Sequence, residues 1–237
     1  MSRGLGDVYK RQLNNHYGLL DKPNMALASV RLDLEGSDKL TGQTIRIGSL
    51  TSGNTNHLKL NNSDIALYAP GPVAAIDEKI KIVGLTNSSS LTIHGITEES
   101  RGKTGKAHLT AAVYVEDGSK LNFSGSVLTF ENALIVNEGE TNFKELSNTE
   151  LHASLYQTAG KLDVGAGAEV LSDKSVEVTG GGMNVAGVLT SNTLVVQNAE
   201  ANVAGSLKTG TLTLGTKNKG LSQTTLSLTK GGQAQFD

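Results

Sequence analysis

This chain has no cysteine and no tryptophan, aromatic residues make up 4% of its 237 positions, and neither sign of charge is in large excess. Without cysteine there can be no disulfide and no thiolate acting as nucleophile or metal ligand. A net charge of −2, with no sustained run of either sign, gives no electrostatic footprint for nucleic acid or an anionic membrane surface. No stretch approaches the roughly 20 apolar residues of a membrane helix, and no leader pattern opens the chain. What is abundant is Gly, Thr, Ser and Asn, at 28, 23, 21 and 18 residues, together 90 of the 237. Side chains this small and polar cannot fill a wide core. They suit a narrow one lined by single rows of Val, Leu and Ile.

Two such rows are legible at a spacing of about twenty. The first reads Val115, Val136, Tyr156, Val178, Val196, Leu214 and the second Phe123, Phe143, Val164, Val185, Val203, Leu221. A polar, often glycine-bearing turn separates the rows throughout. A fixed short period built on strands is the signature of a solenoid. Upstream the signal is alternation, as in Val30–Leu34, Ile45–Ile47, Leu58–Leu60 and Ile65–Leu67, the period-two pattern of half-buried strands. Leu60 and Ile82, and likewise Ile93 and Val115, lie 22 apart, which extends the period upstream. Residues 1–12 (MSRGLGDVYKRQ) share none of this and read as a non-native N-terminal scar. The solenoid then runs over 13–237, with its clearest repeats at 107–237.

The expected architecture is all-β: a right-handed, single-chain parallel β-helix with rungs of about 18–22 residues. Like residues stacked in successive rungs require parallel pairing at about 4.8 Å per rung, and crossovers of this kind are right-handed. Roughly eleven rungs would make a rod near 50 Å long. Glycine recurs two residues after the second row, at Gly125, Gly187 and Gly205, where a bend needing free backbone angles is expected. After Val203 the pattern breaks, because Leu221 lacks its glycine and Leu226-Ser227-Leu228 arrives early, so the last turn is irregular or carries an insertion. An isolated rung cannot fold, and both ends of the stack would present open strand edges. The chain alone is therefore expected to associate or fray there.

No residue pattern commits to catalysis, a cofactor or a metal. Gly102-Lys103-Thr104 resembles the end of a phosphate loop, but the required first glycine falls on Thr97 and no helix follows. Gly95–Lys106 reads instead as a solvated loop, kept wet by Glu98, Glu99, Arg101, Lys103 and Lys106. His16, His57, His94, His108 and His152 share no metal-ligand spacing, although His94 and His108 flank that loop. The acids Asp77/Glu78, Glu98/Glu99, Glu116, Asp117, Glu138 and Glu140 sit in turns, none repeated beside Lys or Arg in register across three rungs. Asn122, Asn142, Asp163, Asn184 and Asn202 precede the second row by one residue, so alternation points them outward, where amides can bond along the rod. Sequons at Asn61, Asn87 and Asn122 are expected by chance in so Asn- and Ser/Thr-rich a chain.

Laid out this way, residues 13–237 resemble the passenger region of bacterial autotransporters, the type V secreted proteins with pertactin-like and vacuolating-toxin-like members. The likeness rests on the apolar-x-apolar strands, Gly/Asn turns such as Asn137-Glu138-Gly139 and Thr179–Gly182, few aromatics and no cysteine. It implies a non-catalytic, adhesin-like virulence stalk on the bacterial cell surface or secreted, with a C-terminal outer-membrane barrel outside this segment. It also gives the missing cysteine a reason, since disulfides would obstruct threading of an unfolded passenger through that barrel. A host-cell surface or matrix ligand would meet loops such as Tyr68–Lys79 and Gly95–Lys106. Nucleic acid, cofactors and direct membrane insertion are not implied. Alternatives on the same scaffold are a polysaccharide lyase or hydrolase, a partner-secreted filamentous-haemagglutinin-type protein, and a phage tail fibre.

Overall fold

A computed structural model describes residues 31–34, 38–53, 55–69, 72–95, 106–215, 224–229 and 231–236. Among them are 23 strands and no helix, and every strand pairing is parallel. The strands stack as a β-solenoid of about eight turns. At about 4.8 Å per turn this is a rod near 38 Å long, shorter than eleven turns would give. The described turns are longer than twenty residues upstream and again between Val203 and Leu228. Leu60 opposes Leu85 and Leu85 opposes Val115, spacings of 25 and 30 residues, so the two 22-residue pairs proposed upstream are not neighbours in the stack. Ile82 opposes His57 and Ala112, and Ile93 opposes Leu67 and Phe123.

Each turn has three sides around a core of buried Leu, Ile, Val and Ala. On the second side the row Ile47, Leu67, Ile93, Phe123, Phe143, Val164, Val185, Val203 runs in register. Phe123 and Phe143 stack face to face inside the rod, with ring centroids 5.1 Å apart. Val203 is opposed by Leu228, the expected insertion lengthening that turn; Leu221 lies outside the described residues. The 10-residue strands Lys120–Thr129, Glu169–Val178, Val188–Gln197 and Ser206–Gly215 each serve two sides by bending at a corner.

The first row needs a correction of phase. Val115 opposes Asn137, which opposes Gln157, which opposes Val178. Val136 and Tyr156 pair with Tyr114 on the outer surface, while Asn137 and Gln157 are fully buried. The apolar dipeptides Ile135-Val136 and Leu155-Tyr156 conceal this. Ile135 and Leu155 already provide the inward apolar residue of those strands, and period-two alternation then sends the next residue out.

Two of the three corner glycines have a different cause from the one expected. Only Gly125 has a left-handed backbone (φ +65°). At Gly187 a Cβ would sit on the carbonyl oxygens of Ala168 and Gly165, and at Gly205 on those of Gly187 and Ala186. Close backbone stacking at the corner excludes a side chain there. At the C-terminal end Leu214, Leu228 and Phe236 are about half exposed, and the strands Thr225–Leu228 and Gln233–Phe236 have open outer edges in the described structure.

Candidate functional site

The outward face of the second side is polar, and alternation leaves two neighbouring rows there to meet solvent. The Asn row forms there as a broken ladder. Asn142 Nδ2 donates to Asn122 Oδ1 at 3.1 Å, and Asn184 Nδ2 donates to Asp163 Oδ1 at 3.4 Å. Asn122 in turn donates to Ser90 Oγ and Thr92 Oγ1, each at 3.3 Å, and is buried by these neighbours. Beside it runs an ionic row absent from the sequence reading. Lys120, Glu140 and Lys161 stand in register across three turns, so an acid does lie between bases. Lys120 Nζ lies 2.9 Å from Glu140, and Lys161 Nζ lies 3.1 Å from Asp163. The Lys120 hydrogen bond holds the Glu140 carboxyl below its usual value, outweighing the partial burial that opposes it. Glu140 is thus a charged pairing partner at neutral pH, the opposite of what a general acid requires. The row's members stand two positions before Asn122, Asn142 and Asp163 at the same spacings of 20 and 21 residues, so the period that places the amides places this row as well.

A groove of about 280 Å³ flanks this face, lined by Asp163, Asn184, Asn202, Ala186, Ala204 and Thr229. Amides, one carboxylate and a hydroxyl on small-residue walls can hydrogen-bond a hydroxylated ligand. No nucleophile or acid–base pair converges on it.

Three of the histidines are separately engaged, and His16 lies outside the described residues. His94 lies against Tyr68, centroids 5.1 Å apart, and burial pushes its imidazole below the ordinary value. His108 packs edge-on to Phe130, and His152 Nδ1 sits 2.8 Å from Asp173 Oδ2. Among the described residues no cluster of His and acidic side chains could hold a metal ion. Glu138 accepts from the Tyr114 hydroxyl at 2.7 Å and from Thr158 Oγ1 at 3.4 Å. That bond to Glu138 raises the Tyr114 phenol above its usual value. Glu116 accepts from the Asn87 backbone N–H at 3.3 Å. On the outer face of the first side, Ile82, Leu134 and Tyr114 are more than a third exposed and flank the half-buried Val136 and Tyr156.

Of the two expected binding loops, one is largely part of the rod. Ala75, Ile76 and Ile80 are fully buried. The backbone of Val73–Asp77 bonds to Leu50 on one turn and His108 on the next, so it forms the third side of its own turn. A depression of about 270 Å³ adjoins it, lined by Ser49, Thr51, Asp77 and Glu78 among others. Asp77 there accepts from the Lys79 N–H at 2.9 Å and serves as a turn cap. Residues 96–105, which hold the Gly-Lys-Thr sequence and Glu98/Glu99, lie outside the described residues. Their flanks are firm: Gly95 ends the strand Ser90–Gly95, and Lys106 pairs with Glu150. Of the sequons, Asn122 is buried.

Sequence reasoning also missed a polar seam inside the rod. Backbone N–H groups of Gln43, Ser63 and Ser89 donate to the hydroxyls of Ser63, Ser89 and Ser119 one turn on, at 3.1, 3.2 and 3.2 Å. Further along, Asn137 and Gln157 carry the polar interior. A serine beside a turn reads as ordinary turn chemistry, so nothing local marks it as buried.

These features define a parallel β-solenoid whose polar side chains bond chiefly from turn to turn. Compared with protein-family models, with curated proteins and with solved structures, the chain matches none.

Proposed function

We propose that this chain is a rigid, non-catalytic stalk segment of an adhesin-like β-helix passenger, displayed on a bacterial surface or secreted by the autotransporter route. The observation that carries this reading is where the outward polar side chains spend their bonding capacity. Arg46 pairs with Asp64, Lys106 with Glu150, Lys120 with Glu140, Lys174 with Glu131 and His152 with Asp173, each pair spanning turns. Asn122–Asn142 and Asp163–Asn184 do the same with amides. Side chains that tie each turn to the next stiffen a rod, whereas a ligand site leaves groups converging on a shared point. Solenoids carry function on insertions that leave one face, and the longest spacing between stacked residues, Ala74 to His108, contains residues 96–105. Those residues are the proposed contact with a host-cell or matrix ligand.

Sequencing the source DNA outward from both ends tests the secretion route. A leader upstream, with downstream ten-residue alternating strands of a barrel, is the expected result. A stop codon soon after Asp237 without a barrel would overturn that route. Replacing residues 96–105 by a Gly/Ser stretch of equal length should leave the β-rich circular dichroism spectrum intact and reduce adhesion to host cells. Unchanged adhesion would remove the loop from the reading.

A further inference from the structure

We propose that Asn137 and Gln157 are a register lock, a buried amide pair that makes one stacking of neighbouring turns distinguishable from its near-equivalents. In a solenoid the inward residues alternate with outward ones, so sliding a strand by two residues keeps every apolar side chain inside. Sliding Leu155–Gln157 by two against Ile135–Asn137 would put Ala153 opposite Ile135 and Leu155 opposite Asn137. Ala153 and Leu155 are already buried, and apolar contact is non-directional. Little in the apolar pattern opposes such a slip at this point.

The amides do oppose it. In the observed register Asn137 Nδ2 donates to Gln157 Oε1 at 3.3 Å and to the Lys161 carbonyl at 2.9 Å. Gln157 Nε2 donates onward to the carbonyls of Gly180 and Gly182 at 3.0 and 2.9 Å. Two side chains thereby join three successive turns. After a two-residue slip Asn137 would face Leu155, and its buried donors would lose the Gln157 oxygen.

The same turn shows that stability is not what these residues supply. Among the described residues five buried side-chain polar atoms lack a partner, and four of them are Asn137 Oδ1, Thr141 Oγ1, Ser147 Oγ and Thr149 Oγ1. At the stacked position itself the flanking turns carry buried valines, Val115 and Val178, where Asn137 and Gln157 carry amides. Buried polar groups whose best-attested use is fixing register fit the pattern.

The chain has no cysteine, so engineered disulfides report register without background. In-register residues on adjacent turns lie about 4.8 Å apart and a two-residue diagonal about 8 Å, beyond the roughly 7 Å that a disulfide spans. With the native amides, Val136→Cys with Tyr156→Cys should close under mild oxidation, and Val136→Cys with Ser154→Cys should not. In the Asn137→Val/Gln157→Val background both pairs should close, with the thermal midpoint unchanged or raised. The amide-swapped Asn137→Gln/Gln157→Asn background should form only the first. Closure of the native pair alone in the valine background would overturn the proposal. So would failure of that background to fold, since the amides would then be providing stability and not register.

Discussion

Truncating Phe143 to alanine tests whether the rod behaves as a one-dimensional stack. Phe143 is buried and lies flat on Phe123 of the preceding turn, centroids 5.1 Å apart and planes within 10°. Loss of a buried Phe side chain costs about 3–5 kcal/mol including the cavity it leaves, and the aromatic pair itself accounts for about 0.5–1.5 kcal/mol. A value near 4 kcal/mol corresponds to almost three powers of ten at about 1.4 kcal/mol each. In a solenoid each turn contacts only its neighbours, so the loss should stay local. Native-state hydrogen exchange should show strands Lys120–Thr129, Glu140–Phe143 and Lys161–Val164 exchanging several hundred-fold faster or more. The strand Thr44–Ile47, four turns from Phe143, should be unchanged. Uniform acceleration along the chain, or a loss below tenfold at the site, would refute the reasoning.

Four further outcomes are expected. Gly187→Ala should lower the thermal midpoint, because its Cβ would collide with the backbone oxygens of Ala168 and Gly165, an overpacking worth about 1–3 kcal/mol. Gly84→Ala, with open space around the new carbon and no left-handed φ, should be neutral or stabilising by about 0.4–1 kcal/mol. Because Lys120 depresses the Glu140 carboxyl in the folded state, its contribution is complete above the unfolded carboxylate value and disappears as pH falls through the depressed folded value. Glu140 is 40% exposed at its side chain, so Glu140→Gln should remove only a few tenths of a kcal/mol to about 1 and flatten the acid limb of a denaturation–pH curve by that amount. Finally, the apolar open edge at the C-terminal turn should drive concentration-dependent association of this chain; Leu228→Lys should weaken it in sedimentation velocity, and a monomer at all concentrations would contradict the expectation.

How much of this was legible in the sequence depends on whether a feature is local. The strand class, the parallel stacking and the row from Phe123 to Val203 follow from alternation and a steady period, both properties of neighbouring residues. The outward Asn row followed too, being one position out of phase with that row. The upstream register failed because the turns there span 25 and 30 residues, and alternation says nothing about how much chain a corner absorbs. On the candidate face the amide row and the row Lys120, Glu140, Lys161 share one spacing, so the period carries both; which carboxylate each lysine meets, Glu140 for Lys120 and Asp163 for Lys161, was decided only by the stacked turns.

The sequence by itself determined that this chain builds a narrow, cysteine-free parallel solenoid, because composition and period admit few other ways to bury its Val, Leu and Ile. Only the tertiary structure decided which residues of Ile135–Asn137 and Leu155–Gln157 face in. Val136 and Tyr156 are apolar yet lie on the outer surface, and Asn137 and Gln157 are polar yet lie inside. Each strand there needed one more inward residue than its apolar dipeptide could give, and an amide bonded to the next turn fills that place.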